Sequence, residues 1–239
     1  MKLITTVTAA FAVSFAGSAT LAQGNNYIVF SAMYSAPLDS DFSIGEDLTG
    51  ELGMKGGAGF VLAFGHKFSN GLALEAEVSS KGSKAKSITF GQDRDIGPNP
   101  DTDPDDRITA GTSYPVTPQV KITTTALMAN GVFRTNEVGS GLRPYLGAGL
   151  GVSNVKIRNL TVTVSQDASV NVSGARDSAV AYQFLGGVDV PLTEATSARI
   201  GYRYFATGSA EFATGSADVG KLKIKTRSHN LELGFVFEF

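Results

Sequence analysis

The sequence predicts an all-β protein: a single eight-stranded, antiparallel, up-and-down transmembrane β-barrel. Three observations carry that expectation. Apolar and polar residues alternate in eight separate segments, as in HNLELGFVFEF at 229–239, where Leu231, Leu233, Phe235, Phe237 and Phe239 take every second position. Successive side chains of a strand point to opposite faces, so such a segment has one greasy face and one polar face. The connections alternate between short and long, which gathers the short turns at one end of a barrel and the long loops at the other. The polar faces are also rich in glycine, which weakens a strand and has to be explained by crowding.

The segments follow in order. The first, 27–35, carries Ile28, Phe30, Ala32 and Tyr34 on its apolar face. The second, 57–68, sets Phe60, Leu62 and Phe64 against Gly59, Ala63, Gly65 and Lys67. The third, 72–80, sets Leu72, Leu74, Ala76 and Val78 against Glu75 and Glu77. In the fourth, 121–134, Leu127, Ala129 and Phe133 oppose Asn130 and Arg134. The fifth, 143–157, has Leu146, Ala148, Leu150 and Val152 opposite Gly147, Gly149 and Gly151. The sixth, 179–190, has Val180, Tyr182, Phe184, Val188 and Val190 opposite Gln183, Gly187 and Asp189. Ile200, Tyr202 and Tyr204 oppose Arg199, Gly201 and Arg203 in the seventh, 197–207. The eighth, 223–239, opposes Asn230, Glu232, Gly234 and Glu238 to its five apolar residues.

Short turns are expected at Ser69-Asn70-Gly71, at 135–141 and at 191–196, and long polar loops at 36–56, 81–120, 158–178 and 208–222. The loops hold the low-complexity sequence, RDIGPNPDTDPDDR at 94–107 and the repeat ATGSAEF-ATGSADV at 206–219. Asp101, Asp103, Asp105 and Asp106 lack the glycine and terminal glutamate of a calcium loop and are read as solvated, so neither metal nor cofactor is expected.

Composition narrows the class. Charged residues make up 18% of the 239 residues, against roughly 25% in an ordinary soluble domain. Cysteine is absent, which excludes disulfides and thiolate metal sites. A formal net charge of -2 with scattered basic residues leaves no footprint for nucleic acid. The start, Lys2 followed by LITTVTAAFAVSFAG and Thr20-Leu21-Ala22, reads as an export signal over 1–22, with the barrel domain at 23–239. No later segment offers the roughly 18 uninterrupted apolar residues of a spanning helix, so a membrane has to be crossed by strands.

The glycines orient the barrel. An eight-stranded barrel has an interior just wide enough for side chains to fill, so long charged chains inside require small neighbours, and some thirty bulky apolar chains have no room there. The apolar face therefore points to lipid, where an Arg or Lys near the midplane costs about 2–4 kcal/mol. Tyr34, Tyr182, Tyr202 and Tyr204, with Phe68, Phe133, Phe237 and Phe239, fall toward strand ends as girdle aromatics. Inside, Lys67, Arg134, Arg199 and Arg203 face Glu75, Glu77, Asp189, Glu232 and Glu238. These are expected to form a mutually paired plug, with Arg199 and Arg203 pairing to Glu232 and with Glu75 and Glu77 reaching across the lumen.

The stretches ALMANGVF (126–133), PYLGAGLGVSNVKI (144–157), AYQFLGGVDVPLT (181–193), GYRYFATG (201–208) and SHNLELGFVFEF (228–239) resemble the outer-membrane β-barrel surface-antigen family of Gram-negative bacteria, related to Opa-type adhesins and the OmpA membrane domain. The resemblance implies a place in the outer membrane, outer-membrane lipid as a partner, and assembly by the barrel-assembly machinery. It also implies that Phe235, Phe237 and Phe239 form the assembly signal, read by strand addition. It leaves activity open among adhesins, immune targets, envelope stabilisers and narrow channels.

The expected role is structural and surface-displaying, by a monomer whose long loops offer an adhesive or antigenic surface to an extracellular ligand. The alternative is a narrow porin-like channel for small solutes or ions. A lipid A-modifying enzyme is disfavoured, because His66 and His229 fall at opposite ends of the barrel with lipid-face parity and leave no base beside a nucleophile.

Overall fold

Residues that alternate in the sequence pair in the structure. The computed structural model describes residues 24–44, 48–95, 107–135, 141–158, 160–163, 169–172, 176–213 and 221–239. The export-signal stretch 1–22, the aspartates at 101–106 and most of the second repeat copy lie outside the described residues.

The strands are β1 (Asn26–Pro37), β2 (Ser40–Ile44), β3 (Leu48–Lys55), β4 (Gly57–Lys67), β5 (Leu72–Phe90), β6 (Arg94–Asp95), β7 (Arg107–Ile108) and β8 (Ser113–Arg134). They continue with β9 (Arg143–Ile157), β10 (Leu160–Thr163), β11 (Ser169–Val172), β12 (Arg176–Pro191), β13 (Thr196–Thr207), β14 (Ala210–Ala213), β15 (Lys221–Ile224) and β16 (Arg227–Glu238). Eight of them close a ring of antiparallel neighbours, β1–β4–β5–β8–β9–β12–β13–β16 and back to β1. The register is continuous across the closure, since Phe30 of β1 stands opposite both Leu62 of β4 and Phe235 of β16. Closure leaves no strand edge to be satisfied by lipid, which cannot hydrogen-bond.

Both described ends of the chain meet at the short-turn end: the Phe239 N–H donates to the Asn26 carbonyl at 2.9 Å and the Lys67 N–H to the Asn25 carbonyl at 2.6 Å. The tightest turn there is set locally. Gly71 takes φ +83°, a conformation costly for any residue with a Cβ, and the Asn70 side chain accepts the Leu72 N–H at 3.1 Å.

Parity sorts the wall as expected. Leu146, Leu150, Phe184 and Leu233 are each more than half exposed, at 70%, 68%, 58% and 65%, while Val29, Val61, Val132 and Val236 on the other face are fully buried. An apolar band running round a closed barrel has lipid as its counterpart.

The long connections differ from expectation, and this is the main correction to the sequence reading. Residues 36–56, 81–120, 158–178 and 208–222 were expected as polar loops; most of their described residues are strands. β5 and β8 run past the band as a paired ribbon, β3 pairs the outer half of β5, β2 pairs β3, and β15 and β14 complete the row. β14 returns to the outer end of β12, where the Glu211 N–H donates to Asp177 Oδ2 at 2.6 Å. The outer strands thus form a second ring stacked on the first.

Burial explains why. Inside the outer ring lies an apolar core that includes Phe42, Leu52, Ile88, Phe90, Val116, Phe212, Leu222 and Ile224. Phe42 and Phe90 meet edge to face at 5.8 Å. Full burial of one such side chain contributes roughly 1.5–3 kcal/mol, enough to order strands that glycine and lysine make unpromising by propensity. In the membrane band apolar side chains face out; in the outer ring they face in. β5 carries both patterns, with Leu74 and Val78 exposed but Ala85, Ile88 and Phe90 buried.

Candidate functional site

The lumen of the membrane ring holds the sequence-predicted charges, layered along the barrel axis. At the short-turn end is a vestibule of about 570 Å3 lined by Lys67, Phe68, Ser69, Gly71, Arg134, Thr135, Arg143 and Glu238. Lys67 Nζ meets Glu238 Oε2 at 2.8 Å. The Arg134 guanidinium lies 3.9 Å over the Tyr27 ring, with Glu75 and Asp189 each 3.6 Å away. Its Nε and Nη2 make no hydrogen bond among the described residues, which leaves Arg134 the least satisfied cation of the set.

The next layer is a cross-strand pair. Asp189 of β12 stands directly opposite Arg199 of β13, and Arg199 donates from Nε to Oδ1 at 2.8 Å and from Nη2 to Oδ2 at 3.0 Å. That two-pronged geometry matches guanidinium to carboxylate and fixes both rotamers. Arg199 also sits 4.2 Å over the Tyr145 ring, and the Tyr27 hydroxyl donates to Glu75 Oε1 at 2.8 Å.

Arg203 organises the third layer. Its Nε donates to Glu232 Oε1 at 2.5 Å and its Nη2 to Glu232 Oε2 at 3.3 Å. Its Nη1 donates to both Glu77 oxygens at 2.6 Å and to Gln183 Oε1 at 2.7 Å. Glu77 Oε2 further accepts Asn130 Nδ2 at 2.8 Å and Gln183 Nε2 at 3.1 Å. Neighbouring strands bring Arg203 to Glu232, but the Arg203–Glu77 contact spans the lumen from β13 to β5. Above it, Lys81 Nζ donates to Ser228 Oγ at 2.5 Å and lies 3.7 Å over the Phe205 ring. Phe205, Met128, Ala126 and Ala181 then begin the apolar filling that continues into the outer ring.

The structure thus brings Glu77, Arg203 and Glu232 together, and joins Arg199 to Asp189 rather than to Glu232. Lys67 and Arg134 are placed at the mouth, with Glu75 between the mouth and the centre. Phe235 and Phe237 lie exposed on the outer face of β16, and the Phe239 ring is 6.3 Å from that of Phe64. The glycines fit a more specific packing than small residues opposite charges. A Cβ on Gly65 would come to 2.1 Å from Cζ of the Tyr27 ring, and one on Gly201 would strike the Tyr145 hydroxyl.

Tyr27, Tyr145, Lys81 and Phe205 were missed in sequence as lumen residues. The first two were legible by parity, since Tyr27 alternates against Ile28 and Tyr145 shares a face with Gly147. Lys81 fell in an expected loop. Of the two histidines, His66 Nδ1 is 2.8 Å from Asn26 Oδ1 and His229 Nδ1 is 2.5 Å from the Tyr202 hydroxyl, both away from the lumen.

Residues 5–239 match the outer membrane protein beta-barrel domain. The chain belongs to that family. Membership places this outer-membrane β-barrel in the envelope of a Gram-negative bacterium. No curated protein sequence matches the chain. Among solved structures, OprG from Pseudomonas aeruginosa is similar at 14% identity, with 91% of this chain and 97% of that chain covered and a TM-score of 0.51. Neisserial surface protein A is similar at 15% identity, with 90% and 97% covered and a TM-score of 0.49. Ail of Yersinia pestis, solved with the heparin analogue sucrose octasulfate, is similar at 14% identity, with 89% and 99% covered and a TM-score of 0.37. At 14% identity the likeness to OprG speaks to the fold alone.

Proposed function

We propose that this outer-membrane barrel is a sealed, non-enzymatic scaffold that holds a rigid platform above the cell surface. The observation that carries this reading is the double filling of the lumen: a hydrogen-bonded charge network fills the membrane ring, and an apolar core fills the outer ring above it. Either filling denies water a continuous file, and the vestibule ends on the Arg134, Glu75 and Asp189 cluster. In this reading 1–22 is cleaved on export, Phe235, Phe237 and Phe239 are read by the barrel-assembly machinery, and the barrel is a monomer in outer-membrane lipid. The outer strands and their connecting loops meet any extracellular ligand.

Two measurements test this. Because the chain has no cysteine, single cysteines report topology cleanly. A membrane-impermeant maleimide should label Thr112→Cys on intact cells and spare Ser69→Cys until the outer membrane is broken. In planar bilayers the refolded protein should show no steady openings; a sustained conductance of unitary size would establish the narrow-channel reading instead.

A further inference from the structure

The arginines of the lumen are not equally provided for. Arg199 donates two hydrogen bonds to Asp189, and Arg203 donates to Glu232, Glu77 and Gln183. Arg134 has Glu75, Asp189 and Glu238 around it, but at 3.6, 3.6 and 3.9 Å all three stand beyond hydrogen-bond distance. Those carboxylates are engaged elsewhere. Asp189 is taken by Arg199, Glu75 accepts from the Tyr27 hydroxyl and from Asn130, and Glu238 is held by Lys67 at 2.8 Å. The Arg134 side chain is only 11% exposed, and its Nε and Nη2 are buried with no acceptor among the described residues. Buried polar groups are rarely left so, which makes Arg134 a cation in want of an anion.

The vestibule beside it is of ligand size. Its volume of about 570 Å3 falls within the roughly 300–1,000 Å3 of small-molecule pockets. Its charged lining is Lys67, Arg134, Arg143 and Glu238, three cations to one anion, and Phe68 supplies an apolar flank. The cation is pre-positioned. Arg134 is stacked 3.9 Å over the Tyr27 ring, and its backbone N–H donates to the Gly71 carbonyl at 2.8 Å.

Glu238 shows which anion suits the mouth. Its Oε2 sits on Lys67 Nζ at 2.8 Å and its Oε1 lies 3.9 Å from Arg134 Nη1, so one carboxylate is already shared between the two cations, and the cavity is the space left beside it. A phosphate dianion would bring two charges toward Glu238, Glu75 and Asp189, whereas a monocarboxylate brings one.

We infer that the vestibule is a binding site for a small organic monocarboxylate entering from the short-turn end. Arg134 and Lys67 take the carboxylate, and Phe68 packs against the apolar part of the ligand. This goes beyond the scaffold reading and does not depend on the lumen being sealed above the Arg134, Glu75 and Asp189 cluster.

The test uses the full chain, refolded in zwitterionic detergent micelles with isotope-labelled arginine. It is titrated with butyrate, with butyramide as the neutral isostere, and with inorganic phosphate. The assigned Nε–H resonance of Arg134 should move saturably with butyrate, while those of Arg199 and Arg203, already bonded to carboxylates, should stay in place. Butyrate should bind at least about tenfold tighter than butyramide, which lacks the charge, and tighter than phosphate. Glu238→Gln removes the competing carboxylate and should tighten butyrate by about threefold, and Lys67→Gln should weaken it by about as much. Lys223→Gln, on the outer ring, should change nothing. An unheated gel band of wild-type mobility establishes that each variant is folded; should Glu238→Gln or Lys67→Gln not fold, the wild-type titration with the three probes decides. An Arg134 resonance that does not saturate below about 50 mM butyrate overturns the inference. So does equal binding of butyramide, tighter binding of phosphate, or weaker binding of butyrate by folded Glu238→Gln.

Discussion

Arg203→Ala is the sharpest perturbation of the lumen. The substitution removes five hydrogen bonds at once, two to Glu232, two to Glu77 and one to Gln183. The two carboxylates are not equally exposed to the loss. Glu77 keeps donors from Asn130 and Gln183, whereas every side-chain hydrogen bond described for Glu232 comes from Arg203. Removing one partner of a buried ion pair costs about 3–5 kcal/mol, and with an orphaned Glu232 the upper half of that range is expected. Adding Glu232→Gln should return about 2 kcal/mol by removing the stranded charge. Replacing the triad by Arg203→Met, Glu232→Met and Glu77→Gln should come within about 1–2 kcal/mol of wild type, since an apolar filling of like volume substitutes well for buried ions. Arg203→Lys should fall between, because an ammonium cannot span two carboxylates with a planar fork. The assay is urea unfolding in lipid vesicles, read by the compact band on unheated gels, with the variants combined in a double-mutant cycle. A loss under about 1 kcal/mol for Arg203→Ala, or a Glu232→Gln effect that is the same with and without Arg203, would falsify the account of the network.

Other outcomes follow from the same geometry. Leu150→Arg, on the lipid face, should weaken folding into bilayers by about 2–4 kcal/mol, while Asn154→Arg, nearer the outer ring on the same strand, should cost less than about 1 kcal/mol; paired urea titrations decide it. Gly65→Leu should block formation of the compact band by colliding with the Tyr27 ring, and Tyr27→Ala in the same chain should restore it. Phe90→Ala should cost about 3–5 kcal/mol in urea titrations because it empties part of the outer core. Neither Phe90→Ala nor Arg203→Ala alone should produce steady openings in planar bilayers, because the two fillings stand in series.

The membrane ring was legible because one rule governs all of it. Lipid outside and side chains inside impose a strict period of two, and Phe30, Leu62, Val78, Leu127, Val152 and Val180 keep it along a single cross-strand row. Individual contacts in the lumen were less legible. Parity puts Arg199 and Asp189 on the inner face, but the register that sets them opposite each other is fixed by the short turn between β12 and β13. The Arg203–Glu77 contact depends on strand tilt and stagger around the whole ring, which no local pattern encodes. The outer ring was hidden for another reason. Its apolar residues, such as Phe42, Leu52, Phe212 and Leu222, come in short pieces separated by glycine and charge, and they make a core only when pieces more than 100 residues apart are brought together.

The inversion of faces along β5, β8 and β9 links the two rings to one cause. Val78, Leu127 and Val152 point out; further along the same strands Ile88, Val120 and Ile157 point in, while Lys84, Lys121 and Lys156 take the outside. On β8 and β9 the backbone alternation runs on unbroken to Val120 and Ile157, whereas on β5 a register shift at Ala85–Ser87 turns Ile88 and Phe90 inward. Apolar and polar residues exchange sides where the outer solvent changes from hydrocarbon to water, because an exposed leucine suits the first and an exposed lysine the second. The exchange falls at Ser80, Thr125 and Asn154, residues that both environments tolerate. It follows that the hydrocarbon boundary is written into the strands themselves. Moving it, by replacing Lys84 and Lys121 with leucine, would enlarge the lipid band without touching the core, and would draw the outer ring toward the membrane while its own apolar filling resists being exposed.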